Sequence, residues 1–283
     1  MPALNTIPID KLVRLVGTAK GPAIIDVRTD EDFTADARLI PGAVRRPWAE
    51  VANWATDYRG KDVVVVCREG HKLSQGAAAW LRQAGADAEA LDGGVHAWIQ
   101  AGHPVVPQAA LPARDAQGRT VWVTRARPKV DRIACPWLIR RFVDPNAVFL
   151  FVAPAEVAGV AERFGATPFD VEGDGVTWSH DGERCTFDVM VDGFGLGGLK
   201  PLTHLALIVR GADTARPDLV PEAAGLVALS LGLSRMFADD LEQLDAGMLV
   251  YDALYRWCRD ATGETHDWGS HQPKGARAKP VPA

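Results

Sequence analysis

The sequence predicts an α/β domain followed by a second, helix-rich α+β domain. Two largely apolar runs of strand length, 23–27 and 62–67, fall in the first hundred residues; the second is unbroken from Val63 to Cys67, and a helical pattern follows it. Unbroken runs of this kind are typical of strands buried on both faces, as in a parallel sheet. Beyond residue 200, apolar residues recur three and four apart over three stretches, which predicts helices in the second half of the chain.

The first domain is predicted to span residues 1–107 and to consist of βαβ units. After the strand that ends at Cys67, apolar residues at helical spacing predict a helix, and Gly85 stops it. A further strand, 88–91, then precedes a pair of glycines. The apolar face of the helix consists of Leu73, Ala77, Trp80 and Leu81.

The second domain is predicted to span residues 121–262. It follows 108–120, which is predicted to be a linker because the sequence from Pro104 to Arg119 turns to proline, alanine, glycine, glutamine and aspartate without periodicity. The polar residues 263–283 are predicted to form a flexible tail. Strands are expected at 121–124 and 148–152, and helices over 202–209, 226–236 and 241–258.

Composition and charge exclude several classes of protein. The chain has 283 residues, of which 47% are hydrophobic and 24% charged, as in soluble globular proteins. A net charge of −5 argues against a nucleic-acid partner, which needs clustered lysine and arginine. The N-terminus lacks the pattern of a signal peptide, and no apolar run reaches the length of a membrane span. We therefore expect a cytoplasmic protein, without a membrane partner, whose four cysteines are free thiols.

The loop after the second strand carries the chemistry that the sequence predicts. A cysteine between a buried strand and a helix faces backbone N–H groups and the positive end of the helix dipole, which favour a nucleophilic sulfur. Gly70 permits a backbone conformation that a β-carbon would forbid, and Arg68 and Lys72 add positive charge for an anionic donor. A buried structural cysteine is the alternative. The predicted site is the nucleophile Cys67 with the loop residues Arg68, Glu69, Gly70, His71, Lys72 and Leu73.

Four motifs in order give residues 8–106 a family resemblance. They are Ile25-Asp26-Val27-Arg28, Ile40-Pro41-Gly42-Ala43, the loop from Cys67 to Lys72, and Leu91-Asp92-Gly93-Gly94-Val95-His96-Ala97-Trp98. Together they resemble a rhodanese domain, which implies a five-stranded parallel sheet flanked by helices. The resemblance also implies that Cys67 takes a sulfane sulfur as a persulfide and passes it to a thiol, cyanide or protein acceptor, with no cofactor required. We expect Asp26 and Arg28 to support this site.

Phosphatases and arsenate reductases are an alternative, because related folds use a similar cysteine loop. Their resemblance implies a cysteine followed by five residues and then an arginine. Here Lys72 follows Cys67 after four residues, and that arginine is missing. A shorter loop fits a sulfur atom better than a tetrahedral phosphate. Lysine lacks the planar fork of arginine, so the sulfur donor stays open between thiosulfate and a persulfide.

Several ordered motifs also stand out in residues 121–262. They are Arg127-Pro128-Lys129-Val130-Asp131-Arg132-Ile133-Ala134-Cys135-Pro136-Trp137, Pro168-Phe169-Asp170, Cys185-Thr186-Phe187-Asp188 and Ile208-Val209-Arg210-Gly211-Ala212-Asp213. In combination they resemble the C-terminal domain of the chromate-resistance protein family ChrB. The resemblance implies a link to chromate-responsive regulation, but it does not imply a mechanism.

The residues Arg127, Lys129 and Arg132 are a candidate oxyanion site in this second domain. Clustered cations in a cleft focus anions far better than scattered ones do. The alternative is a solvated helix face whose arginines form salt bridges.

A metal site is another possibility, with His180, Cys185 and Cys135 as candidate ligands. Asp181-Gly182 predicts a two-residue hairpin turn, which would place His180 and Cys185 diagonally on one face. Cys135 or Asp131 could complete the site. The alternation of apolar residues from Cys185 onward fits a core position equally well, and no zinc-like ligand spacing is present, so the metal content stays open.

Two functional hypotheses follow. The favoured one is a sulfurtransferase that works through a Cys67 persulfide and is coupled to a ChrB-like domain involved in chromate or oxyanion resistance. Its partners would be a small-molecule sulfur donor, a thiol acceptor and an oxyanion. In the rival hypothesis the protein is an oxyanion-responsive sensor, and its rhodanese domain is a non-catalytic recognition module.

Overall fold

The computed structural model of the chain describes residues 5–173 and 175–264. Most of the predicted tail, from residue 265 on, lies outside the described residues. The first region contains the strands β1 (Thr6–Ile7), β2 (Ala23–Asp26), β3 (Arg38–Leu39), β4 (Ala43–Arg45), β5 (Asp62–Val66), β6 (Asp87–Leu91) and β7 (Val106–Pro107). Its α-helices are α1 (Ile9–Val13), α2 (Asp30–Ala35), α3 (Val51–Trp54), α4 (Lys72–Gln83) and α5 (Gly94–Gln100).

A parallel five-stranded sheet, in the order β1-β6-β5-β2-β4, forms the centre of this region. The predicted fold class is therefore confirmed. The central strand β5 is buried, and Val63–Val66 are each at most 2% exposed. Because β2 and β6 run parallel to β5 on either side, the carboxyl ends of all three strands meet at one edge of the sheet. Cys67 follows β5 at that edge.

The predicted helix after the loop is confirmed as α4, with one difference on its surface. Trp80 was expected on the apolar face, but it is 52% exposed. The buried face is made of smaller residues, Ser74, Ala77, Ala78 and Leu81. The large indole does not fit between α4 and the sheet, where alanine side chains allow close packing.

The second region is helix-rich, as predicted. Three parallel strands, β8 (Val121–Arg125), β9 (Val148–Val152) and β10 (Thr167–Pro168), form a small sheet in the order β10-β8-β9. The helices are α6 (Asp131–Phe142), α7 (Val157–Phe164), α8 (Thr186–Gly193), α9 (Lys200–Asp213), α10 (Glu222–Met236) and α11 (Asp240–Asp260). Within the part of the chain that the structure describes, each helix is too short or too polar to cross a membrane.

The predicted hairpin, with Asp181-Gly182 as its turn and His180 and Cys185 on one face, is wrong in register and in extent. The turn pairs Asp181 with Arg184, and its central residues are Gly182 and Glu183. The chain then enters α8 with Cys185 as the N-cap residue. The alternating apolar residues therefore belong to a helix that is buried on several sides, not to a strand.

The hydrophobic core extends across the predicted domain boundary. One cluster of buried residues contains Ile40 and Trp98 of the first region together with Trp122 and Phe142 of the second. The Phe142 carbonyl accepts a hydrogen bond of 2.6 Å from Gly42 N. A β-carbon on Gly17 would lie only 2.1 Å from the Phe142 ring. The two regions are thus packed together.

The predicted linker, 108–120, is a folded segment in this structure. It follows β7, which pairs antiparallel with β3. Arg114 and Thr120 then form a β-bridge, and the Asp115 carboxylate accepts a hydrogen bond of 2.8 Å from Arg119 N. The position of the boundary between independently folding domains stays a prediction.

Candidate active site

Cys67 lies at the closed end of the loop between β5 and α4. Its residue exposure is 5%, whereas Arg68, Glu69, His71 and Lys72 are exposed. The sulfur therefore lies beneath a rim of polar side chains. This is the position that the sequence predicts, at the junction of a buried strand and a helix.

Gly70 fixes the path of the loop. It has a φ of +73°, and a β-carbon there would lie 2.5 Å from Leu91 O and 2.8 Å from Gly93 N. L-residues with side chains rarely adopt this conformation. The loop is also tied to α5, because Val95 N donates to Cys67 O at 2.9 Å. The loop therefore packs tightly against the turn before α5, and only glycine fits at position 70.

Ser74 is a direct partner of the cysteine that the sequence analysis missed. Its Oγ lies 3.1 Å from Cys67 Sγ and 3.2 Å from His71 O. Ser74 is completely buried on the first turn of α4. Sequence reasoning could have found Ser74, because it lies on the first turn of the helix that follows the cysteine loop, and side chains of a first turn face the preceding loop.

The first turn of α4 follows the cysteine loop directly. Gln75 N donates to His71 O at 3.0 Å, and His71, the N-cap residue, gives no side-chain cap. The N–H groups of the first turn of any helix have no partner within it. They carry partial positive charge and form an anion-binding concavity.

The charged loop residues differ in how far they are neutralised. Arg68 contacts Asp32 and Glu69, each at 3.3 Å, and Glu69 contacts His96 Nδ1 at 3.2 Å. Within residues 5–173 and 175–264, Lys72 forms no ion pair. Lys72 is thus the loop cation that remains open to an anionic ligand. Leu73 is half-buried and packs on the core beneath the loop.

Asp26 and Arg28, predicted to support the site, form a buried ion pair. Arg28 Nε donates to Asp26 Oδ2 at 2.9 Å, and the two residues are 3% and 0% exposed. Arg28 also donates to the carbonyls of Asp36 and Arg38, at 2.8 and 2.7 Å. Asp26 neighbours Val66 across the sheet. The pair therefore fixes the edge of the sheet next to the cysteine loop and does not contact the sulfur.

The basic residues predicted to bind an oxyanion have other partners. Arg127 donates to the carbonyls of Ser234 and Phe237. Arg132 Nε lies 3.3 Å from Asp170 Oδ2, and Lys129 is exposed. Two of the three cations thus already have hydrogen-bond or charge partners. An oxyanion role for this segment stays a prediction.

The candidate metal ligands lie in one region of the fold, but only His180 belongs to a group of possible ligands. Cys135 is fully buried in the core, and Cys185 Sγ donates to Asp188 Oδ2 at 3.3 Å. Burial raises the pKa of both thiols, which opposes the thiolate form that binds metals. His180 is grouped with Asp131 and Asp170, and these three offer ligand atoms within 4.8 Å of one another. The two cysteines are not members of this group.

Electrostatics in this acidic group are strongly perturbed. Burial, reinforced by the Asp213 and Asp170 carboxylates, raises the pKa of Asp131 well above its usual value. Hydrogen bonding to Asp170 raises the pKa of His180 to about 9. The crowded carboxylates contribute to both shifts, because negative charge disfavours ionisation of Asp131 and favours protonation of His180, whereas burial raises the pKa of Asp131 and opposes the rise at His180.

Comparison with known families agrees with both parts of the chain. Residues 9–101 match the model of the rhodanese-like domain, and residues 122–258 match the model of the ChrB C-terminal domain. The chain therefore combines a rhodanese-like domain with a ChrB-like domain.

Two curated proteins are homologous to parts of the chain. "Protein ChrB" from Cupriavidus metallidurans is 36% identical over 163 residues, which cover 56% of this chain and 47% of that protein. "HTH-type transcriptional regulator Rv0324" from Mycobacterium tuberculosis is 36% identical over 84 residues, which cover 29% of this chain and 36% of that protein. The chain thus spans less than half the length of either relative.

Solved structures are similar to part of the chain. A rhodanese-related protein from Thermoplasma volcanium is 27% identical, with a TM-score of 0.32, over 36% of this chain and 97% of the other. A thiosulfate sulfurtransferase from Pseudomonas aeruginosa is 26% identical, with a TM-score of 0.32, over 37% of this chain and 19% of the other.

Proposed function

We propose that the chain is a sulfurtransferase in which Cys67 carries a sulfane sulfur as a persulfide. The observation that carries the proposal is the arrangement around the sulfur. Cys67 lies beneath a loop whose path is fixed by Gly70, and Ser74 Oγ lies 3.1 Å from its sulfur. Lys72 is exposed on the rim of this loop and forms no ion pair with any described residue. A nucleophile, anion-binding N–H groups and an open cation are the parts that transfer from an anionic sulfur donor requires.

The first half-reaction loads the cysteine. The Cys67 thiolate attacks the outer sulfur of thiosulfate, and the S–S bond of the donor breaks as the new Cys67 S–S bond forms. Sulfite leaves with the electron pair, so no external oxidant or reductant is needed. The loop N–H groups and Lys72 stabilise the negative charge that passes through the site.

The second half-reaction unloads the cysteine. A nucleophilic acceptor, such as cyanide or a thiolate, attacks the outer sulfur of the persulfide. The Cys67 S–S bond breaks, the acceptor keeps the sulfur as thiocyanate or a new persulfide, and the Cys67 thiolate is regenerated. Ser74 Oγ contacts both Cys67 Sγ and His71 O, so its hydroxyl can turn from the carbonyl to the sulfur when charge develops there. No cofactor takes part in either step.

Intact-mass spectrometry after incubation with thiosulfate tests this proposal. We expect the protein to gain the mass of one sulfur atom, and a Cys67→Ser variant to gain none and to form no thiocyanate from thiosulfate and cyanide. Cys258→Ala is a matched control, because Cys258 is a buried thiol on α11. Sulfur loading in Cys67→Ser, or its absence in the parent protein, would contradict the proposal.

A second candidate is a regulatory role in which the rhodanese-like domain recognises an oxyanion or a thiol without turnover. It is favoured by the two curated relatives, which are named as ChrB and as a transcriptional regulator. The same mass measurement separates the candidates, because a pure recognition module forms no persulfide. In that case chromate titration of the full chain, with Arg127→Ala and Arg132→Ala as variants, tests the predicted oxyanion site.

A further inference from the structure

Three carboxylates surround one imidazole nitrogen in the ChrB-like domain. His180 Nε2 lies 3.1 Å from Asp213 Oδ2, 3.4 Å from Asp170 Oδ1 and 3.7 Å from Asp131 Oδ2. An imidazole nitrogen has one N–H at most and cannot donate a good hydrogen bond to three acceptors. The oxygens and the nitrogen are therefore arranged around a point, not in a simple hydrogen-bonded pair.

Asp131 is the carboxylate of this group whose burial is least compensated by hydrogen bonds and ion pairs. Its side chain is fully buried, its Oδ2 accepts a hydrogen bond of 3.3 Å from Phe187 N, and its Oδ1 has no hydrogen-bond partner. Among the described residues, its ion-pair partner is His180 alone, at 3.7 Å. A buried carboxylate with an unsatisfied oxygen is costly unless a further positive charge compensates it.

We propose that Asp131, Asp170 and His180 bind a divalent first-row transition-metal cation, with Asp213 beside them. The donor atoms of the first three lie within 4.8 Å of one another. Ligands about 2.1 Å from one ion lie about 3.4 Å apart in a tetrahedral site and up to about 4.2 Å apart on opposite sides of the ion, so the most distant pair must approach by about 0.6–1.4 Å at most to close the site. A divalent cation would give Asp131 Oδ1 the partner that it lacks.

The ligand set determines the class of metal. Carboxylate oxygens and one imidazole, without a thiolate, suit Mn²⁺, Fe²⁺ or Zn²⁺, whereas Mg²⁺ and Ca²⁺ prefer oxygen ligands alone. The His180 side chain is 40% exposed, so an ion can enter from solvent. The cation would be held where three segments meet, namely the start of α6, the second residue after β10 and the residue before the turn that leads into α8, with the end of α9 beside them.

Neighbouring side chains already hold Asp170 in place. Thr186 Oγ1 donates to Asp170 Oδ1 at 3.0 Å, and Arg125 and Arg132 lie 3.4 and 3.3 Å from Asp170 Oδ2. Such outer contacts orient a ligating carboxylate and are typical of metal centres. Asp170 itself has a φ of +51°, a left-handed conformation that aspartate adopts more readily than most residues other than glycine.

Equilibrium dialysis of the full chain against Mn²⁺ and Zn²⁺ tests the proposal. The protein is first stripped with a chelator, and Cys67→Ser is used as the background so that the loop thiol cannot bind Zn²⁺. We expect one ion per chain by elemental analysis. His180→Gln and Asp170→Asn should each weaken binding at least about tenfold, and the ion should raise the melting temperature of the parent but not of these variants.

The controls make the same chemical changes outside the group. His204→Gln and Asp245→Asn should bind the ion as the parent does, because neither residue contacts the cluster in the described structure. Circular dichroism checks that each variant is folded, and Asp131→Asn replaces any variant that is not. Less than stoichiometric binding of both ions, or equal affinity in His180→Gln and His204→Gln, would overturn the proposal.

Discussion

Replacing Arg28 by methionine should destabilise the protein far more than the same change at Arg38. Both arginines pair with an aspartate two residues away. The side chains of Arg28 and Asp26 are 2% and 0% exposed, whereas those of Arg38 and Asp36 are 44% and 36% exposed. The two variants therefore make the same chemical change in a buried and in an exposed setting.

The magnitude follows from what each variant leaves behind. Arg28→Met leaves the Asp26 carboxylate buried with one remaining donor, Arg28 N at 2.9 Å, and deprives the carbonyls of Asp36 and Arg38 of their donors. Breaking a buried pair by removal of one partner costs about 3–5 kcal/mol. Exposed pairs contribute about 0–1 kcal/mol, so Arg38→Met should change the free energy of unfolding by less than about 1 kcal/mol.

Equilibrium urea unfolding, followed by circular dichroism, measures both values. If the unpaired charge of Asp26 is the cause, the double variant Asp26→Asn/Arg28→Met should recover part of the lost free energy of unfolding. The asparagine amide carries no charge, and its oxygen can still accept a hydrogen bond from the backbone N–H of residue 28. Free energies of unfolding that agree within about 1 kcal/mol for Arg28→Met and Arg38→Met would refute this account of the buried pair.

Two further predictions concern the cysteine loop. Gly70→Ala should lower kcat/KM for thiosulfate about tenfold or more, because a β-carbon at φ +73° would meet Leu91 O at 2.5 Å. Gly76→Ala on α4 is the control and should leave kcat/KM unchanged, because a β-carbon there meets nothing within 4 Å. Equal losses in the two variants would show that the loop geometry is not the cause. Lys72→Ala should raise KM roughly fivefold with little effect on kcat, as expected for loss of one exposed charge that binds the donor; steady-state kinetics with Lys61→Ala as the control would expose an equal effect of any surface lysine.

The first region could be predicted in detail because its signals are local. Four consecutive valines, 63–66, identify a strand buried on both faces, and the loop cysteine with Gly70 follows at once. The position of Ser74 beside the sulfur depends on one turn of helix, which short-range reasoning can reach. Short-range reasoning could not show which loop cations have an ion-pair partner, because Asp32, a partner of Arg68, lies 36 residues away in the sequence.

The second region was harder for two physical reasons. Helix α8 is buried on several sides, so its apolar residues do not follow one face, and their spacing imitates a strand. The one local signal was Asp188, three residues after Cys185, which completes a capping box by accepting from Cys185 N at 3.1 Å. The sequence named His180 and Asp131 as possible members of a metal site, but it could not show that Asp170 and Asp213 join them, because Asp131 and Asp213 are 82 residues apart and only the tertiary fold brings them together.

Helix α6 connects the carboxylate group of the ChrB-like domain to the rhodanese-like domain. It begins at Asp131, in the carboxylate group, and ends at Phe142, whose carbonyl and ring contact Gly42 and Gly17 of the rhodanese-like domain. Its 12 residues span about 18 Å. A ligand that shifts the Asp131 end of α6 would therefore change the free energy of packing at the Phe142 end. Because such coupling is reciprocal, a change in the packing at Phe142 would change the affinity for the ligand by the same coupling free energy.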